Sequence, residues 1–127
     1  MIRKLCAALP LAAIMFGSSV VAAPLSYDVA AFQAARDAGK TVVVHVTAAW
    51  CPGCAKQKPV IESLDRSQSY ERVVVFSVDF DSQKGVVRQL HVQKQSTLIV
   101  FKGQDEVSRS LGQTDPQTIL AEIAKGL

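Results

Sequence analysis

Residues 41–54 run Thr41-Val42-Val43-Val44-His45-Val46-Thr47-Ala48-Ala49-Trp50-Cys51-Pro52-Gly53-Cys54. The first half is a near-continuous β-branched run, the pattern of a strand covered on both faces. A polar His45 interrupts it. The second half places two cysteines two residues apart at the start of a segment with helical spacing, in which Val60, Ile61 and Leu64 recur on one face. Pro52 suits the first turn of such a helix, where a missing N–H costs nothing. Pro59, further in, is expected to kink it.

Outward from this stretch the elements follow in regular order. Ala30 to Ala38 reads as a helix ended by Gly39. Val73 to Val78 is a second buried strand, and Gln83 to Leu90 a short helix. Thr97 to Lys102 and Glu106 to Leu111 are strands joined by the turn Gly103-Gln104-Asp105. Asp115 and Pro116 open a last helix with an apolar stripe of Ile119, Leu120 and Ile123. The order is α-β-α-β-α-β-β-α, with no internal repeat. It predicts an α/β domain with a central mixed sheet and helices on both faces.

The 127 residues make one domain, and a composition 49% apolar and 20% charged is that of a folded chain. The formal charge of +3 is small, and the charges are scattered singly, which argues against a nucleic-acid partner. Residues 1–22 read as a secretory signal peptide. Arg3 and Lys4 form its positive start, Leu5 to Val21 its apolar stretch, and cleavage after Ala22 would leave a domain of residues 23–127. The stretch is short and broken by Pro10 and Gly17, so no stable membrane insertion is expected. Cys6 would leave with the signal. The domain then holds two cysteines, Cys51 and Cys54, in an oxidising compartment: the periplasm or another exported location. A bridge closing so short a loop is a poor staple, which leaves chemistry as the better explanation. With His45 and His91 the pair has no zinc-finger spacing, so neither metal nor cofactor is expected.

The chain resembles the thioredoxin family over its whole exported length. The resemblance rests on the element order and on Trp50-Cys51-x-x-Cys54 between strand and helix. It rests also on Pro59 five residues after the second cysteine, Thr97-Leu98-Ile99-Val100-Phe101 before Lys102-Gly103, and Gly112 after the last strand. It implies the thioredoxin fold. It departs at His45, where the family buries an aspartate, at Ser96, where it places a cis-proline, and in the reversed order Pro52-Gly53.

The resemblance implies a thiol–disulfide oxidoreductase of the bacterial cell envelope. Its partners would be protein thiols and disulfides and one redox partner, and it would act as a monomer. Cys51, at a helix start that favours an anion, is the expected exposed nucleophile, and Cys54 the shielded resolving thiol. Trp50 shields the core edge, walls the substrate surface, or both. Gly53 gives a substrate backbone room. His45, among apolar neighbours, is expected to be buried and neutral, either a core residue with one hydrogen bond or a proton relay to Cys54. The Gln95–Ser96 bond is expected to be trans, since cis costs a non-proline residue about 2.5–4 kcal/mol. The Ser96 hydroxyl is a candidate hydrogen-bond donor to the Cys51 thiolate. His91, Asp79, Asp81, Lys56 and Lys58 read as solvated surface. The alternative function is a binding or chaperone module with a structural Cys51–Cys54 bridge.

Overall fold

The structure is a computed structural model, and it describes residues 24–66 and 70–127. The signal-like residues 1–22 lie outside the described residues. The elements are β1 (Leu25–Ser26), α1 (Val29–Asp37), β2 (Thr41–Thr47), α2 (Pro52–Glu62), a 3-10 turn (Ser63–Arg66), β3 (Val73–Asp79), α3 (Lys84–Gln89), β4 (Thr97–Lys102), β5 (Asp105–Leu111) and α4 (Pro116–Ala124).

Helices α1 and α4 start where an aspartate caps them. Asp28 accepts the N–H of Ala31 at 2.8 Å, and Asp115 that of Thr118 at 2.9 Å, next to Pro116 in the first turn. Gly39, at φ +70°, reverses the chain after α1 in a conformation that glycine adopts without steric cost. The short helix α3 is a residue shorter at each end than expected, with Gln83 and Leu90 as its caps.

The five strands form one sheet in the order β1-β3-β2-β4-β5. β2 lies at its centre, parallel to β3 and antiparallel to β4, and β4 turns back into β5. Val42, Val43, Val44 and Val46 are fully buried, as a two-sided cover requires. Alternation divides them. Val42, Val44 and Val46 pack with Phe32 and Ala35 of α1, Val87 of α3 and Phe76. Val43 packs on the other face with Val60 and Ile61 of α2 and Ile119 and Ile123 of α4. His45 is buried on that second face, beneath α2.

The expected order lacked β1. This strand pairs parallel with β3, Leu25 opposite Phe76 and Ser26 opposite Ser77. Two exposed residues are too few to leave a period in the sequence.

Candidate active site

The end of β2 and the start of α2 carry the site. Cys51 is the N-cap of α2 and Pro52 its first residue. Cys51 and Cys54 are joined as a disulfide, their Cα atoms 5.3 Å apart. The Cys51 sulfur accepts the backbone N–H of Cys54 at 3.1 Å, one of the N–H groups a helix start leaves without a partner. A thiolate at Cys51 would gain from this bond and from the helix dipole. The Cys54 sulfur lies 3.9 Å from the carbonyl oxygen of Val46. Both cysteines are buried, against the expectation that Cys51 is exposed: Cys51 is 6% and Cys54 2% accessible. Ala48 packs against the pair, which leaves Cys51 only marginally the more open. A pocket of about 210 Å³ is lined by both cysteines and by Thr47, Ala48, Ala49, Ala55 and Lys58.

Trp50 is 60% exposed and does not shield the core edge. Its indole N–H donates to Asp81 at 2.7 Å, which holds the ring at the surface beside Cys51. Asp81 is thus a brace for Trp50 as well as a solvated residue. Asp79 accepts the backbone N–H groups of Ser82 and Asp81, each at 2.9 Å. Those bonds, Ser82 first, hold its carboxyl below the usual carboxylate range, and the two acids do not form a catalytic pair. The ion pair of Lys58, to Glu62 at 3.8 Å, is exposed and weak. Pro59 lies on the exposed side of α2, away from the disulfide, and the helix continues past it to Glu62. His91 is exposed, at φ +55°.

Ser96 faces the disulfide segment from the turn before β4. Among the described residues every peptide bond is trans, including Gln95–Ser96. Ser96 has φ +65° and is buried, and its N–H donates to the Val46 carbonyl at 2.8 Å. Its carbonyl accepts from Gly112 N–H at 2.9 Å. A left-handed serine costs about 1–2 kcal/mol, so these bonds hold a shape the residue does not prefer. In this disulfide state the Ser96 hydroxyl has no hydrogen-bond partner. A Cβ on Gly53 would lie 2.9 Å from that hydroxyl oxygen. The side of Gly53 where a Cβ would stand is therefore taken by the chain's own Ser96.

His45 is buried and pairs with Gln57, Nε2 to Oε1 at 2.9 Å. Burial pushes the imidazole below its ordinary value, and the Gln57 bond partly offsets this. Gln57 escaped the sequence reading. It has no exposure, and its amide N–H groups donate to Ser96 O at 3.1 Å and Gln113 O at 2.8 Å. The signal was there: Cys54, Gln57 and Ile61 share one helical face, and a polar residue on a buried face calls for a partner.

Among the described residues no cluster of three His, Cys, Asp or Glu side chains could hold a metal ion. The thioredoxin family profile matches residues 24–125. The chain belongs to the thioredoxin family. It is 35% identical over 95 residues to the thioredoxin of Ictalurus punctatus, 73% of this chain and 88% of that one. It is 33% identical over 81 residues to an H-type thioredoxin of Fagopyrum esculentum, 64% of this chain and 68% of that one. The crystal structure of Trxlp from Edwardsiella tarda EIB202 superposes with a TM-score of 0.76 at 37% identity, covering 80% of this chain and 98% of that one. Thioredoxins are thiol–disulfide oxidoreductases, and Cys51–Cys54 supplies the pair this class requires. Within the thioredoxin frame, His45, Gln57 and Ser96 form one hydrogen-bonded row behind the disulfide.

Proposed function

We propose that this thioredoxin-family protein is exported to the bacterial cell envelope and there reduces disulfides of protein substrates through Cys51 and Cys54. The observation that carries the exchange chemistry is the disulfide at the start of α2, with the Cys54 N–H already aimed at the Cys51 sulfur. Export rests on the charged, apolar and small-residue order of residues 1–22. The reductive direction rests on the small domain without a helical insertion.

In the reduced protein the Cys51 thiolate attacks one sulfur of a substrate disulfide. A mixed disulfide forms and the other substrate sulfur leaves as thiolate. Cys54 then attacks the Cys51 sulfur, which restores the Cys51–Cys54 bond and releases the second substrate thiol. A separate redox partner returns the electrons. Trp50, held out by Asp81, forms one wall of the surface a substrate meets.

Insulin reduction by the purified protein beside Cys51→Ser tests the activity, and equilibration of the couple with glutathione tests the direction. Precipitation of insulin chains by the wild type alone, with a reducing potential, is the expected result. A second function, a binding module with a structural bridge, draws on the trans, left-handed Ser96. Equal inactivity of both proteins toward insulin would favour it. Mass spectrometry of the protein recovered from the envelope tests export: a mature chain starting near Ala23 is expected, and retained Met1 would refute it.

A further inference from the structure

The hydrogen bonds of Gln57 fix more than its own place. Both neighbours of its amide nitrogen are backbone carbonyls, Ser96 O and Gln113 O, and a carbonyl only accepts. The NH2 group must face them. The amide oxygen is thereby directed at His45 Nε2, 2.9 Å away, and that nitrogen must carry the hydrogen. A neutral imidazole has one N–H, so Nδ1 holds the free lone pair. The ring lines a pocket of about 160 Å³ with Pro24, Thr47, Lys58, Ile61 and Ser77. Thr47 and Lys58 also line the pocket of Cys51 and Cys54, so the two hollows share a wall.

We propose that Gln57 is a positioning residue for exchange: it locks His45 in the Nε2–H form, which presents Nδ1 as the base for the Cys54 proton, and ties that base to the Ser96 segment. The proposal rests on the oxidoreductase reading above. In the resolving step the Cys54 S–H gives its proton, through water in the adjoining hollows, to His45 Nδ1. The Cys54 thiolate attacks the Cys51 sulfur, the Cys51–Cys54 bond forms, and the bond from Cys51 to the substrate breaks. The departing substrate thiolate takes the proton back, and charge and electrons balance. Lys58 of α2 is the charged group beside the imidazole, and the reduced Cys54 the other titrating one. Thr47 of β2, Ser77 of β3, Ile61 and Pro24 carry no charge.

The first readout needs no variant. Nitrogen-15 NMR of the His45 ring in the purified protein, oxidised and reduced, is expected to show protonated Nε2 and bare Nδ1. The second is a pH profile of the resolving step. Gln57→Leu is expected to slow its plateau at least about tenfold, less than the roughly hundredfold or more that a positioned base contributes, because the imidazole itself remains. It should also move the acid limb to lower pH, because the lost bond favoured the protonated ring. The third is a cycle with His45→Ala: if Gln57 acts through His45, Gln57→Leu adds no further slowing in that background. A proton on Nδ1, an unmoved profile, or additive losses would each overturn the proposal. Failure of the oxidoreductase reading looks different. The wild type then exchanges nothing with insulin, whatever the imidazole tautomer.

Discussion

The two ends of the sheet differ in what they hide. At the start of β2, a hollow of about 390 Å³ is lined by Gly39, Lys40, Thr41, Glu71, Arg72, Lys102, Gly126 and Leu127. Its charged side chains face water, and the buried Thr41 hydroxyl is satisfied by the Gly126 carbonyl. At the other end the hollow beside Cys51 and Cys54 is about 210 Å³, little more than half that size. Yet this end buries an imidazole, an amide and a serine hydroxyl without a partner. Burying polar groups costs stability unless they are paired; the imidazole and the amide pair with each other, and the serine hydroxyl alone bears that cost. Capacity for chemistry follows the concealed polar groups and the sulfurs, not the larger space.

The largest effect belongs to the sulfur. Cys51→Ser is expected to lower insulin reduction at least about a thousandfold, because the nucleophile itself is gone. Its circular dichroism should match the wild type, and residual activity near wild type would break the contrast between the two ends.

Ser96→Pro comes next. Proline fixes φ near −65° and has no N–H, whereas Ser96 sits at +65° and donates to Val46. A loss of about 3 kcal/mol or more in denaturant unfolding is expected. Unchanged stability would mean the turn can take the family's other conformation at little cost. Gly53→Ala tests the same contact from the opposite side. Its Cβ would meet the Ser96 hydroxyl at 2.9 Å, so that unpaired hydroxyl must turn away while alanine improves the helix, and a net loss of no more than about 1 kcal/mol is expected. Ser96→Gly in the same chain should restore most of it, and additive losses in that cycle would disprove the contact.

The buried imidazole gives a smaller, pH-dependent effect. Its folded value lies below the ordinary one, so the unfolded chain binds the extra proton first. Stability is therefore full above about pH 6.5 and declines as pH falls below it toward the folded value. Thermal melting from pH 8 to pH 5 should show this decline in the wild type, and a shallower one in His45→Leu. Parallel curves would remove His45 from the account. The smallest effect lies at the other end. Lys102→Ala should shift stability by no more than about 0.5 kcal/mol and leave insulin reduction unchanged.

Most of the frame was legible before any coordinates. The valine run of β2, the Asp115-Pro116 cap and the Gly103-Gln104-Asp105 turn are local signals, and each element stands within a few residues of its expected place. β1 was not legible, because two residues paired only through β3 leave no period of their own. Cys51 and Cys54 were legible from their spacing together with Trp50, Pro59 and the strand before them. The row behind them was legible only in part. His45 and Ser96 stand out as departures within a known pattern, but Gln57 joins them across 12 and 39 residues of sequence. Hydrogen bonds of that span are made by the tertiary fold and leave no trace in local order. The same holds for Trp50, whose exposure is set by its bond to Asp81 from the end of β3.

In this site Cys51 attacks and Cys54 resolves. Trapping tests it most directly. Reduced Cys54→Ser, mixed with a protein disulfide such as insulin, should hold a mixed disulfide on Cys51, seen as one covalent adduct by mass spectrometry and released by dithiothreitol. Cys51→Ser treated alike should trap little or nothing, since the helix-start N–H that favours a thiolate is aimed at the Cys51 sulfur and not at that of Cys54. An adduct on Cys54 in Cys51→Ser, with none on Cys51 in Cys54→Ser, would contradict the assignment.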